Sequence, residues 1–432
     1  MEQLKEFETI QELLQTQQYT RLRQLLVDLN DADIAAYMEE LPEQSMVKAF
    51  RILPKDLAAD IFSYLEVDRQ QTVITSLTDR EAANIIDNLM ADDAVDLLEE
   101  MPANVVKRLL ENASPETRRD INHLLRYPED SAGSIMTVEY VDLKESLTVE
   151  GAIDRIRAVG LDSETINICY VLDGQRKLLG TVALRYLLLS QPDEIIGEIM
   201  HENVVSVHTH ADQEEVARKF QKYGFTAMPV VDNENRLVGI VTVDDIVDVM
   251  EQEATEDFEK MAAMMPSEKP YLKTSVFMLA KNRILWLLIL MISSMVTGSI
   301  LARYENAFAV IPLLVTFIPM LTDTGGNAGS QSSTLIIRGM AIDDIRLKDA
   351  LRVIWKEIRV AALVSSTLAV VNGVRIYIMY QQNLKLAALI GMTLICTVTL
   401  AELIGCSLPM LAKRCKLDPA LMAAPLITTF VD

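Results

Sequence analysis

The feature that most constrains this chain is a series of apolar stretches in its last third. They run over 284–301, 307–337, 360–380 and 386–412, and from 421 to the end. A helix that crosses a bilayer needs about 20 apolar residues, and only helices or closed barrels satisfy their peptide groups there. At least four stretches meet that length, so residues 271–432 are expected to form an all-α membrane domain of five helices. The fifth has only the 12 residues from Leu421 to Asp432 and is expected to be truncated. Lys273, Lys281 and Arg283 precede the first stretch, Arg338 through Arg359 follow the second, and Lys413, Arg414 and Lys416 precede the fifth. The positive-inside rule places these clusters in the cytoplasm. The expected location is the cell (inner) membrane, multi-pass, with the N-terminal domains cytoplasmic.

Charge is divided unevenly. The sequence holds 62 acidic against 40 basic residues, yet only nine of the acids lie from Leu272 onward. Such a surplus solubilises a surface or gathers cations, and it repels DNA and RNA, so no nucleic-acid partner is expected. The 4 cysteines show no paired spacing, which argues against a disulfide framework or zinc site. The opening MEQLKEFETI has no basic stretch leading an apolar core, so no secretory signal is expected. Within this acidic part an apolar residue recurs every 12 positions, at Leu41, Leu53, Leu65, Leu77, Leu89 and Met101. Pro42, Pro54 and Pro102 follow directly. The period predicts short helices, stopped and restarted, stacked as a superhelical α-domain over 1–128.

A second repeat comes next. Ser-Ile-Met-Thr at 134–137 returns as Glu-Ile-Met-His at 198–201, and Leu-Leu-Gly-Thr-Val at 178–182 as Leu-Val-Gly-Ile-Val at 237–241. Each copy reads as a short strand, a helix, two apolar strands around a polar turn, and a closing helix. The helices are Val149–Val159 and Gln213–Tyr223. The strand pairs are Ile166–Leu172 with Leu178–Val182, and Ala227–Val231 with Leu237–Val241. This pattern resembles tandem α/β CBS domains, the first over 129–196 and the second over 197–252. From Asp244 one long amphipathic helix with an acidic face is expected over 244–270, leading toward the membrane. His208 and His210 share one side of a strand without Cys or a third His nearby and are read as structural.

Polar residues at membrane depth are costly unless they line a cavity or pack on a neighbour. The second stretch contains Asp323-Thr324-Gly325-Gly326-Asn327-Ala328-Gly329-Ser330-Gln331-Ser332-Ser333-Thr334. Its glycines, Gly326 among them, permit close helix packing. Asp323, Asn327 and Gln331 fall on one helical face with Ser330 and Thr334 beside it, an oxygen-rich stripe suited to a hydrated ion. Asp432 is a second intramembrane carboxylate, with Thr428 one turn earlier. No basic residue lies in its span, so a cation is its natural counter-charge; an interfacial carboxylate or a proton relay is the alternative. Mg²⁺ dehydrates reluctantly and suits carboxylates that contact it through water. Glu402, in mid-stretch, fits helix packing and pore lining equally.

Together and in order, the acidic repeats, the CBS pair, ATEDFEK, GGNAGSQSSTLIIRGM, LDPAL and APLITTFVD make the chain resemble the MgtE family of Mg²⁺ channels along nearly all its length. The resemblance implies a homodimer in the lipid bilayer whose second and fifth spans line a central pore, with Asp432 at the main ion site and the long helix as a plug. It implies Mg²⁺ uptake serving Mg²⁺ homeostasis, closed when cytosolic Mg²⁺ binds the acidic domains and opened when the ion leaves and carboxylates repel. Matching motifs places sensor ligands at Asp60, Asp92, Asp96, Asp245, Glu253, Glu256, Asp257 and Asp418. As an isolated pair Asp92 and Asp96 form a solvated acidic face; facing Asp245 they become a divalent site. Mn²⁺, Co²⁺ and Ca²⁺ are further candidate cations. ATP is the second ligand considered, with Thr242 and Asp245 for ribose and phosphate, Arg185 in the corresponding part of the first copy, and Tyr170 and Phe225 as stacking rings. The first copy departs from that pattern at Tyr186, where an acid is expected, and core aromatics are the alternative. No nucleophile–base pair, P-loop or hydrolase motif is present, so no enzyme is expected. A secondary transporter for another solute needs broken helices in repeated halves, which the five spans do not show.

Overall fold

The structure is a computed structural model that describes residues 2–99, 101–267, 271–272, 274–380 and 383–431. The chain forms two compact units, Met1–Val249 and Met250–Asp432. The first opens with ten short helices: α1 (Glu2–Gln15), α2 (Tyr19–Val27), α3 (Asp31–Glu39), α4 (Glu43–Ile52), α5 (Lys55–Ser63), α6 (Val67–Ser76), α7 (Asp79–Ile86), α8 (Ala91–Glu99), α9 (Ala103–Asn112) and α10 (Pro115–Leu124). From α4 onward each starts 12 residues after the one before, which is the period seen in the sequence. Caps explain the restarts. Pro42, Pro54 and Pro102 stand at N-caps, where a missing N–H costs nothing. Thr78 and Glu81 close a reciprocal capping box, and Ser114 accepts from the Thr117 amide. The recurring apolar residue sits just before the cap and turns inward, with Leu41, Leu53, Leu65 and Met101 buried.

Two α/β repeats follow. The first is β1 (Tyr140–Lys144), α11 (Val149–Val159), β2 (Thr165–Leu172), β3 (Leu178–Ala183) and α12 (Leu184–Leu189). After the short α13 (Ile196–Ile199), the second is β4 (Val207–His208), α14 (Gln213–Tyr223), β5 (Ala227–Val231), β6 (Leu237–Thr242) and α15 (Val243–Met261). Both sheets have the same order, parallel β1-β2 then antiparallel β2-β3, and parallel β4-β5 then antiparallel β5-β6. The copies are interleaved: Thr137 pairs with Ile240 of the second sheet, and Thr181 of the first with His201. Glycine makes room for this, since a Cβ on Gly239 would meet Met136 Sδ at 2.8 Å and one on Gly180 would meet Met200 Sδ at 2.8 Å. The repeated Ile-Met segments are thus the straps that each copy lays on the other's sheet. The second copy also shares one core with the helical array, in which Met136, Val216, Met228, Val241, Ile246 and Val249 join Leu97, Leu109 and Ile121.

The second unit is helical: α16 (Val276–Arg303), α17 (Glu305–Val310), α18 (Ile318–Ala341), α19 (Ala350–Met379), α20 (Leu384–Arg414) and α21 (Ala424–Val431), with short 3₁₀ turns at Pro312–Phe317, Leu347–Asp349 and Pro419–Met422. Among the described residues three helices, Val276–Arg303, Leu347–Met379 and Leu384–Arg414, are long and apolar enough to cross a membrane. The polar residues of α18 keep it below that measure. The stretch expected at 307–337 is not one helix, because Pro312 and Pro319 restart the chain twice before α18 runs uninterrupted through the glycines. The helix expected over 244–270 stops at Met261, where Ala263 takes a left-handed φ of 53°. Of the final stretch, α21 is described to Val431.

Helix α18 packs on α20 and α21. Gly405 faces the Gly329 carbonyl directly, and a Cβ on Gly329 would stand 2.9 Å from the Ala401 carbonyl oxygen, so the α18–α20 crossing needs both glycines. No residue of α16 is buried within the unit.

Candidate functional site

Three aspartates stand on α8, whose apolar residues Ala94, Val95, Leu97 and Leu98 are buried in the array. Because the array and the second α/β copy share a core, this helix comes against the start of α15, which carries Asp244, Asp245 and Asp248. Asp92 is 8% exposed. Burial, then the charges of Asp245 and Asp93, hold its carboxyl well above the usual range. Burial together with Asp245 and Asp96 pushes Asp93 up to about 7, and crowding of its carboxyl by protein, then the charges of Glu99, Asp245 and Asp248, do the same to Asp96, although that residue keeps an exposed side on α8. Glu164, ahead of β2, joins them at about 7 through burial and the charges of Asp244 and Asp245. Asp245 rises to about 6, chiefly by burial, although it accepts a 2.7 Å hydrogen bond from Thr242 Oγ1.

Asp92, Asp96 and Asp245 are thus brought together. Asp93, Asp248 and Glu164 were not singled out in the sequence; the first two lie beside residues that were, whereas nothing local marks Glu164. Among the described residues no Lys, Arg or His bridges Asp92, Asp93, Asp96, Glu164 or Asp245. Nor do any three His, Cys, Asp or Glu side chains gather tightly enough there to hold an ion as they stand. The arrangement is a loose, oxygen-only, uncompensated cluster, of a kind a hydrated hard cation neutralises. Asp60 lies apart, exposed on α5, and is not among the charges acting on the group.

The nucleotide candidates divide differently. Thr242 is buried at the end of β6. Tyr170 is fully buried between the two sheets with Leu172, Ala227 and Ile240, its ring edge-on to Tyr140 at 5.9 Å. It has no face on which a base could stack, which corrects the expectation for its ring. Its hydroxyl, however, is buried without a hydrogen-bond partner, and an orphaned donor of that kind fits a polar ligand edge. Phe225 is half-buried and stacks on Tyr223 at 5.3 Å and 18°. Arg185 is exposed on α12.

In the second unit a lysine changes the expected ion site. Lys260 Nζ lies 2.7 Å from Glu256 Oε1 and 2.7 Å from Asp418 Oδ2, so two of the carboxylates expected as sensor ligands share an ammonium. Asp418 also caps its 3₁₀ turn by accepting from the Ala420 amide at 2.8 Å. Glu253 and Asp257 are half-buried on the same helix as Glu256.

On α18, Asp323, Asn327, Gln331 and Thr334 form one exposed face. Ser330 turns inward and donates to the Gly326 carbonyl at 2.7 Å. Gly326 is buried, and a Cβ there would meet Thr428 Cγ2 at 2.8 Å, so its contribution is close packing against α21. Thr428 donates its hydroxyl hydrogen to the Pro425 carbonyl at 2.9 Å. Asp432 lies outside the described residues. Glu402 is 4% exposed inside the unit and off the stripe.

Three family profiles match: the MgtE divalent cation transporter over 318–432, the MgtE intracellular N domain over 29–130, and a CBS domain over 196–252. The sequence is 42% identical to "Magnesium transporter MgtE" of Thermus thermophilus over 76% of this chain and 72% of that protein. It is 34% identical to "Magnesium transporter MgtE" of Bacillus subtilis over 75% of this chain and 71% of that protein. Among solved structures, the soluble part of a magnesium transporter aligns with a TM-score of 0.56 and 33% identity, covering 58% of this chain and 99% of that one. The cytosolic domain of the Mg²⁺ channel MgtE in complex with ATP aligns at 0.54 and 40%, covering 56% and 99%.

Proposed function

The chain belongs to the MgtE family of divalent-cation transporters, and from that premise we propose that it carries Mg²⁺ across a cell membrane along a path lined by α18 and the last helix. The family is one of transporters, not enzymes. The observation that carries the reading is the exposed row Asp323, Asn327, Gln331 and Thr334 on a helix of an otherwise apolar unit. Such a row is costly against lipid and stable against water or a second polar surface. A homodimer that sets two rows face to face gives a hydrated path of oxygen ligands, which a cation that keeps its waters can follow. In this reading Asp432 and Thr428 supply further oxygens, Ser330 backs the stripe, and Gly326 holds α21 close. Mn²⁺, Co²⁺ and Ca²⁺ are the competing cations.

Gating follows from the acidic unit. Asp92, Asp93, Asp96, Glu164 and Asp245 repel one another unless protons or cations intervene, so Mg²⁺ on the cytoplasmic side stabilises the arrangement in which they meet, and its loss favours the open state. Asp60, Glu253 and Asp257 are further proposed sensor ligands, while Glu256 and Asp418 share the single positive charge of Lys260. ATP is the proposed second ligand of the CBS pair; the unpartnered Tyr170 hydroxyl supports it, and Thr242, Phe225 and Arg185 are the further residues proposed to contact it. The sensor then comprises the array (1–128), the CBS copies (129–196 and 197–252) and the connecting helix α15 (Val243–Met261), all cytoplasmic, and 271–432 is the inner-membrane domain.

The test is Mg²⁺ flux into proteoliposomes carrying the full-length protein, compared with Gln331→Leu and Asp432→Ala, with Mg²⁺ varied on the sensor side. Flux lost in both variants and suppressed by sensor-side Mg²⁺ is expected. Wild-type vesicles as tight to Mg²⁺ as protein-free ones would sink the reading.

A further inference from the structure

Behind the polar stripe, α18, α19 and α20 meet around two carboxyl groups that the transport path does not use. Glu402, midway along α20, is 4% exposed, and its Oε2 is buried without a hydrogen-bond partner. Glu357 of α19 is half-buried and close enough for its charge to act on Glu402. Ser332 of α18 connects them: its Oγ lies 2.6 Å from Glu357 Oε2 and 3.3 Å from the Glu402 carbonyl oxygen. A hydroxyl has one proton to donate, and the shorter contact assigns it to Glu357. Nothing then donates to Glu402 Oε2.

The other titratable group facing the pair is Cys406, one turn along α20, whose Sγ contacts the Leu403 carbonyl and the Ser407 hydroxyl. Among the described residues neither carboxylate has a Lys, Arg or His in ion-pair reach, and no third acid, His or Cys completes a metal-binding group with them. A bare buried carboxylate oxygen beside a second carboxylate is among the costliest arrangements an interior can hold, and a single proton removes the cost. A dication needs about six oxygens, more than this pocket offers.

We propose that Glu402 and Glu357 form a proton-binding carboxyl pair inside the membrane unit, with the proton on Glu402 and Ser332 tying the pair to α18. One proton from water forms an O–H bond on Glu402, and no other bond changes. Ser332 is the neighbour of Gln331, so when the proton leaves, two negative charges press on the back of the helix that carries the stripe. That consequence for conduction rests on the proposed Mg²⁺ path; the proton site does not.

Infrared spectra of the full-length protein in lipid nanodiscs test it. The wild-type-minus-E402Q difference at neutral pH is expected to contain a protonated-carboxyl carbonyl band that fades as pH rises. E357Q, which removes the neighbouring charge and nearly preserves shape, moves the fading to lower pH. A difference spectrum without an acid band anywhere from about pH 5 to about pH 9 overturns the proposal. So does a band abolished by Mg²⁺ at fixed pH, which makes the pair a metal ligand. In vesicles, pH-dependent Mg²⁺ flux that flattens in E402Q supports the link to α18. Vesicles without any flux refute the transport reading and leave the infrared result standing.

Discussion

Lys260 occupies the place where the sequence suggested an ion. Its ammonium sits between Glu256 and Asp418 at 2.7 Å from each, a tethered cation that cannot diffuse away. Replacing it by methionine leaves two half-exposed carboxylates facing each other. After allowance for solvent screening, Lys260→Met is expected to cost about 1 kcal/mol. A lower melting temperature in chelator, restored by Mg²⁺ more fully than Mg²⁺ stabilises wild type, is the outcome to look for. Equal Mg²⁺ responses in both proteins refute it. Gly329 is stricter, because a Cβ there meets the Ala401 carbonyl at 2.9 Å and backbone cannot step aside. Gly329→Ala should cost roughly 1–3 kcal/mol by overpacking, read as a lower melting temperature of the purified protein. Residues also mark the limit of sequence reasoning. Glu256 and Lys260 are visible as a helical pair, but Asp418 lies 158 positions from Lys260 and no local signal joins them. Tyr170 was legible as an aromatic of the nucleotide pattern, while its turning inward was settled by packing between two sheets.

At the scale of elements, the meeting of α8 with the start of α15 governs pH behaviour. Asp93, Asp96 and Glu164 are raised to about 7 and Asp245 to about 6, from ordinary values of 3.8 for Asp and 4.5 for Glu. The folded arrangement therefore binds protons that the unfolded chain has already released. Its contribution to stability is complete below about pH 4 and is lost as pH climbs through about 7. Melting of the full protein in chelator should be lower at about pH 8 than at about pH 5.5, Mg²⁺ should raise it more at the higher value, and Asp93→Asn should shrink the difference. A pH-independent melting temperature in chelator would contradict this. The elements themselves were largely readable: the 12-residue period set the helix starts from α4 to α10, and the paired strands of both CBS copies fell where alternation and turns placed them. What alternation could not supply was the partner of Glu164, because docking of the array on the second copy is fixed by a shared core and not by any one segment's periodicity.

For the whole molecule, α16 is the telling part. It runs 28 residues without burying one in its own unit, where among the described residues it meets only α17 and α21 to any extent, and its apolar surface is expected to face lipid or another copy of the chain. Two copies per particle are expected from mass measurement in nanodiscs, and a strict monomer would remove the partner that the exposed stripe on α18 needs. The basic clusters predict a sidedness that can be tested: Cys415, exposed among Lys413, Arg414 and Lys416, should react with a membrane-impermeant maleimide in inside-out vesicles and stay unlabelled in right-side-out ones. The apolar helices α16, α19 and α20 were readable because length and hydropathy mark them directly. The strap exchange between the CBS copies was not, since a repeat shows that two segments are alike without showing which of them touch. That exchange sets an order of synthesis and a pattern of inheritance. Thr137 leaves the ribosome early and waits for Ile240, its pairing partner, which is made about a hundred residues later. A chain cut between the copies would leave each half missing a strap, so neither half closes alone. Across related sequences, changes at Met136 are expected to accompany changes at Gly239, and changes at Met200 to accompany those at Gly180, because each pair is in close contact.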